Sequence, residues 1–379
     1  MELNVTQNEI DLFASTLWKD IRKLVVGKNA NDELTFRRYS DKIISIANEL
    51  PFLEFLKQQN PSWKIPKILD HTDEYIEFEY LDGIRLFNFV IELRHLYLIE
   101  NSQKALDIIE RIKIILTKQL LDFQRITRPW CNKIETHYPF HERCFVPIQI
   151  ISNILSYKID EVEINADIKA ITEIVSANSN SLFRDAAAKN AILHLPELYY
   201  SNFKYDDAER RILIRSLVDI DYFTDELLNQ KIYQFDFTGC VYLCPQVDDL
   251  IAINLHESMI WANSSKRFYE SNLNDSVFLT TMFVRFVRFG GRKLAYRLLH
   301  KEGHKIRFRY DYEKFYFVKL VDVIERLQQK KIVKGTALIA VMKKFQEATD
   351  IIPNEDYFDP TGKKSQICYV DTPQINYKQ

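Results

Sequence analysis

Apolar residues recur at helical spacing through residues 8–25, where Ile10, Phe13, Leu17, Ile21, Leu24 and Val25 share a face. That pattern predicts a helix, followed by a turn over residues 27–32. Leu34–Tyr39 alternates in the manner of a short strand. Residues 43–58 return to helical spacing with Pro51 inside them, and a proline there predicts a kink or a restart. Two strands, 65–69 and 75–80, flank a turn at 71–74, and Leu81-Asp82-Gly83 makes a natural connector.

From residue 86 onward the period is almost all helical. Residues 86–99 and 102–124 are amphipathic, residues 191–195 and 232–237 are brief apolar stretches of strand type, and helical spacing resumes from 248 to 348. The tail, 350–379, is polar and interrupted by proline, which predicts an irregular extension. The pattern therefore predicts an α+β class. A small strand-bearing part (1–82) leads through a connector (83–86) to a large helical part (87–349).

Composition narrows the function classes. The 379 residues are 46% hydrophobic and 27% charged, a globular balance. Lys+Arg 51 against Asp+Glu 53 gives a net charge of −2, so no general nucleic-acid binder is expected. No apolar run reaches the roughly 18 residues of a membrane span. The first eleven residues are polar and acidic with no signal region, and the five cysteines are sparse, so a cytoplasmic protein with reduced thiols is expected. With only 8 glycines, neither GxGxxG nor GxxxxGK[ST] can be written, which excludes the Rossmann and P-loop phosphate cradles.

Three segments carry candidate chemistry. The first, 182–193, holds Asp185 and Asn190 five positions apart and runs at once into an apolar strand. The second, 232–239, is an apolar strand ending Phe235-Asp236-Phe237-Thr238-Gly239. The third is Pro245-Gln246-Val247-Asp248-Asp249, which opens a helix. Phosphoryl transfer needs a carboxylate beside the attacking hydroxyl and oxygen ligands that hold Mg²⁺ against the phosphates. A D-x-x-x-x-N loop followed by a strand-end Asp supplies both from two neighbouring turns.

This order of segments resembles the kinase-like phosphotransferases of small molecules, the aminoglycoside phosphotransferase and choline/ethanolamine kinase families, over about residues 25–320. The resemblance implies a two-lobed protein kinase-like fold with Mg²⁺ and ATP or GTP as cofactors and a hydroxyl of a small molecule as acceptor. It implies Asp185 as the catalytic carboxylate, Asn190 and Asp236 as metal ligands, and Asp248 and Asp249 as structural supports of the loop. Leu34–Tyr39 looks like the strand that grips phosphate, with Arg37 as its ligand and Arg38 the runner-up, since neighbours on a strand face opposite sides. Glu49 would orient that arginine. Residues 76–86 resemble the strand and hinge that hold the base, through groups near Glu79 and Leu81. This sequence carries Phe183 where the family pattern has a loop histidine, and residues 196–231 read as an insertion.

Several features have plainer readings. Cys131, His137, His141 and Cys144 do not space as a zinc site, and Cys240-x-x-x-Cys244 reads as ordinary cysteines. Segment 285–319 holds eleven Lys/Arg against three acids, a solvated face first and a docking surface for a protein partner second. A helix over 250–261 would set Glu257 and Trp261 four apart on one face, a pairing suited to a cationic amine acceptor. The rival reading is a pseudokinase, a nucleotide- or partner-binding scaffold without turnover, which Phe183 and the absent glycine loop favour.

Overall fold

The computed structural model describes residues 24–29, 31–39, 46–134, 145–154, 160–184, 190–196, 207–235, 237, 240, 242–256, 262–287, 291, 295 and 311–347. In chain order the elements begin β1 (Leu24–Lys28), β2 (Leu34–Tyr39), α1 (Ile46–Gln58), β3 (Ile68–His71), β4 (Tyr75–Glu79), β5 (Gly83–Arg85), α2 (Leu86–Glu100) and α3 (Gln103–Cys131). They continue with α4 (Val146–Ile154), α5 (Glu161–Ala177), β6 (Ser179–Leu182), β7 (Ala191–His194), α6 (Asp207–Asp219), α7 (Asp225–Lys231), β8 (Ile232–Gln234) and β9 (Leu243–Pro245). The last are α8 (Gln246–Ile251), a π-helical stretch (Ala252–His256), α9 (Ala262–Asn272), α10 (Ser276–Phe286), α11 (Asp311–Gln329) and α12 (Thr336–Glu347). The class is mixed α+β.

The chain forms two compact units interleaved in sequence. Among the described residues, one gathers 24–134 with 184–240, and the other gathers 145–183 with 242–347. Helices α2 and α3 fall in the same unit as the N-terminal sheet.

In the first unit a four-stranded antiparallel sheet runs β1-β2-β4-β3. The helix expected over 8–25 does not reach its end, since Leu24 and Val25 open β1; residues 8–23 lie outside the described residues. The Leu24-Val25-Val26 run favours a strand, and the turn chemistry completes a hairpin. Asn29 Oδ1 accepts the Asn31 and Glu33 amides at 2.9 and 3.0 Å, and Asp32 takes φ 65°. Helix α1 continues through Pro51 without a break and buries Phe52, Leu53 and Leu56. Pro51 is the sixth residue of the helix, so it forgoes the amide bond back to residue 47.

A second small sheet runs β5-β7-β8. Gly83 is required there: a Cβ would sit 2.1 Å from the Leu193 carbonyl oxygen on the neighbouring strand. Residues 196–231, read as an insertion, hold α6 and α7, which pack on α2 and α3 within the same unit. Arg211 pairs with Glu92 at 3.1 Å, Arg215 with Glu100 at 3.1 Å and Lys104 with Asp221 at 2.9 Å.

The second unit is helical around a core that includes Phe145, Ile164, Ile171, Phe183, Phe278, Phe283 and Leu338. Two carboxylates one turn apart on α5 hold the start of α12. Asp167 accepts the Lys334 and Gly335 amides at 2.7 and 2.8 Å, and Glu163 accepts the Ala337 amide at 2.7 Å and the Lys334 ammonium at 2.6 Å. Carboxylates suit a helix N-terminus because its amides are unpaired and its dipole is positive there. Burial pushes the Asp167 carboxyl above its ordinary range despite those two amides.

Replacing Gly83 with alanine should part β5 from β7 and cost about 1–3 kcal/mol, as overpacking does. Gly27→Ala is the control, because nothing lies within 4 Å of a Cβ there. Urea unfolding of the two variants checks this; equal midpoints would show that the β5–β7 approach is not constraining.

Candidate functional site

The strand pair β7–β8 sets the site. Its antiparallel register pairs Ala191 with Gln234, Ile192 with Tyr233 and Leu193 with Ile232. One step further the Phe235 amide donates to the Asn190 carbonyl at 2.9 Å. The end of the D-x-x-x-x-N segment and the start of the Phe-Asp-Phe segment are thereby joined by one hydrogen bond. Asn190 is half-buried. Asp185 and Asp236 lie outside the described residues.

The residues flanking those two aspartates are held tightly. Phe237 is buried against Phe52 of α1, Phe123 of α3 and Trp63, with ring centroids 5.9, 6.2 and 6.0 Å apart. Arg184 is 7% exposed and lies over the same rings, its guanidinium carbon 4.7 Å from Phe123 and 5.4 Å from Phe237. Its Nη2 donates to Gln234 Oε1 at 2.9 Å, and Gln234 Nε2 donates to Gln119 Oε1 at 2.9 Å. A guanidinium is the cation best able to do both, with planar donors at its edge and a face that stacks on rings.

Strand β2 corrects one expectation. Glu49 pairs with Arg38, not with Arg37, and both partners are buried. The alternation of the strand decides this: Arg38 shares a face with Phe36, toward α1, while Arg37 points to the opposite side. There Arg37 stands opposite Glu77, bonds it at 3.2 Å and lies 4.8 Å over the Tyr75 ring. The bond to Glu77 raises the Arg37 pKa above its ordinary value against the opposing effect of burial. Glu77 is further held by the Thr35 hydroxyl.

Beside the connector, Glu79 is committed to Lys67, the residue before β3: its amide donates to the Lys67 carbonyl, and its Oε1 accepts the Lys67 amide at 2.8 Å. Leu81 is a core side chain whose backbone amide and carbonyl take no backbone partner among the described residues. Asp82 accepts the Leu195 amide at 2.8 Å, which ties the connector to the end of β7. Burial, then the neighbouring Glu79 charge, pushes the Tyr233 hydroxyl up.

In the helical unit Asp248 is paired with Arg285 at 2.6 Å, and Arg285 is 1% exposed. Asp249 is as deeply buried. Arg285 therefore leaves the basic face expected over 285–319. Lys319, at its other end, lies over the Tyr269 ring, and the residues between are mostly outside those described. Helix α8 ends at Ile251 and passes into the π-helical stretch, so the α-helical spacing expected over 250–261 is not kept at Ala252–His256. Glu257 and Trp261 lie outside the described residues, as do His137, His141 and Cys144. Among the described residues no helix is long and apolar enough to cross a membrane, and no three metal-binding side chains converge.

Arg184, Gln234 and Gln119 were not singled out by sequence. The available signal was polarity at apolar spacing: an arginine closing Ser-Leu-Phe, a glutamine inside Ile-Tyr-Gln-Phe, and a glutamine beside Leu120 on the inner face of α3. Compared with known proteins, the chain matches no family model and no curated protein.

The buried pair gives a direct test. Arg38→Met should cost about 3–5 kcal/mol by stranding Glu49, and Arg38→Met with Glu49→Leu should recover much of that loss. Arg37→Ala should cost less than Arg38→Met, about 1–3 kcal/mol, because Glu77 is buried but keeps the Thr35 hydroxyl. Chemical denaturation of the three variants measures the order; an Arg37 variant worse than the Arg38 variant would reverse the assignment.

Proposed function

We propose that the chain is a Mg²⁺- and nucleotide-dependent phosphotransferase of the kinase-like type that acts on an alcohol group of a small molecule. The observation that carries this reading is the bond between Asn190 and Phe235, which brings together the two chain segments that supply the proposed metal oxygens. The buried Arg38–Glu49 pair between a strand and the following helix supports it independently.

In this reading Asp185 accepts or orients the acceptor's hydroxyl proton. The Asn190 amide oxygen and the Asp236 carboxylate are hard ligands of the kind Mg²⁺ takes, so the donor chemistry fits that ion. When bound, Mg²⁺ offsets phosphate charge during transfer. Arg38, oriented by Glu49, takes the phosphate-side position first expected of Arg37. Backbone groups at Leu81, beside Glu79, receive the base of ATP or GTP. Glu257 and Trp261 are the proposed acceptor pair for a cationic amine. A cytoplasmic setting is part of this reading. The second reading, a nucleotide-binding scaffold, is favoured by Phe183, a core residue at the step before Arg184-Asp185.

Mg·ATP or Mg·GTP should raise the melting temperature, because a ligand that binds only the folded state stabilises it, by about 2.7 kcal/mol at a hundred times Kd. Asp236→Asn should remove the metal-dependent part of the shift. Asp185→Ala should abolish transfer and leave nucleotide affinity intact. No shift with either nucleotide at millimolar concentration, with Mg²⁺ or Mn²⁺, would sink both readings. A shift without transfer to any acceptor in a broad screen would select the scaffold.

A further inference from the structure

We infer that Arg184 is a positioning residue that locks the chain on both sides of the proposed metal-binding segment. The inference deepens the phosphotransfer reading and rests on it for the metal; the mechanical part stands on the fold alone.

The argument begins with cost. A guanidinium taken out of water loses strong hydration, and it is retained where its hydrogen bonds and faces are satisfied. Arg184 is 7% exposed and immediately precedes Asp185. Its face covers the rings of Phe123 and Phe237, which themselves stack 6.2 Å apart at 19°. Its edge reaches Gln234, whose side chain continues to Gln119, and both glutamines are buried.

The contacts divide by chain segment. Phe237 is the residue after Asp236, and Gln234 stands two before it. Phe235, between them, is fixed by its amide bond to Asn190. One side chain thus grips the Phe-Asp-Phe segment on both sides of Asp236, while its own backbone leads into Asp185. Phe123 and Gln119 lie one turn apart on α3, so a single helix face anchors the whole set. Residues that orient metal ligands from outside the ligand set typically change metal affinity roughly 10- to 100-fold when removed.

The experiment uses the full chain with Arg184→Met, which keeps length and loses the charge, and Arg184→Lys, which keeps the charge and loses the planar fork. The first readout is the Mg²⁺ concentration needed for half-maximal nucleotide binding. The methionine variant should need roughly 10- to 100-fold more Mg²⁺, with metal-free nucleotide affinity unchanged and the lysine variant in between. The second readout is amide exchange without ligand. The Phe235 amide should exchange faster in the methionine variant, while the Phe78 amide in β4 keeps its wild-type rate. Equal acceleration at both amides, or an unchanged Mg²⁺ requirement in a wild-type protein that binds metal and nucleotide, would overturn the inference. If the methionine variant does not fold, Gln234→Leu removes only the tether and should move both readouts the same way by less; no movement overturns the inference. If wild type binds no metal-nucleotide complex, the phosphotransfer reading falls, and the Phe235 amide alone decides the role of Arg184.

Discussion

A charge taken out of water has to be met by its surroundings, and three of the four arginines buried among the described residues, Arg94 being the fourth, show how that constraint shapes the chain. Arg38, Arg184 and Arg285 are all under a tenth exposed. Arg38 and Arg285 are each met by a carboxylate from another element, Glu49 of α1 and Asp248 of α8. The described partners of Arg184 are different, two aromatic faces and an amide. Each solution fixes a strand or helix end relative to a neighbour. The buried arginines therefore act as positional pins where an apolar contact would tolerate sliding, since burying a charge with its partner displaced costs several kcal/mol.

Much of the architecture was legible from periodicity. The strands at 34–39 and 75–80, the long helices after residue 86 and the strand-type stretches at 191 and 232 all follow from apolar spacing. What periodicity missed has physical causes. Leu24 and Val25 continue a helical stripe, but cross-strand pairing with Arg38 and Arg37 overrode it. The helices at 207–219 and 225–231 were read only as an insertion, because their role is to cover α2 and α3 through ion pairs that no local pattern announces.

The site was legible in part. The resemblance selected Asp185, Asn190, Asp236 and Glu49 from one-dimensional order. Of these the structure describes Asn190, whose carbonyl accepts the Phe235 amide, and Glu49, which pairs with Arg38 and not with the Arg37 first expected. Choosing between Arg37 and Arg38 needed the third dimension. Their alternation was known, but which face meets α1 depends on sheet register and not on the residues themselves. Arg184 was illegible for a related reason: a buried arginine and a solvated one look alike in sequence, and only the rings of Phe123 and Phe237 distinguish them.

The small sheet β5-β7-β8 fixes the segments of the candidate site with very few residues. Strand β7 is its middle strand. One edge takes β5, which continues from the connector beside Glu79 and Leu81, and the other takes β8, which leads to Phe235. Side chains alternate with a period of two, so a one-residue slip of β7 against β8 would move Asn190 away from Phe235 and turn Gln234 away from Arg184. On the opposite edge Gly83 allows β5 to approach Leu193 so closely that no other residue fits without moving the backbone. Register on one edge and contact distance on the other are thus both fixed. Two short strand pairings carry what a larger sheet would otherwise secure by length.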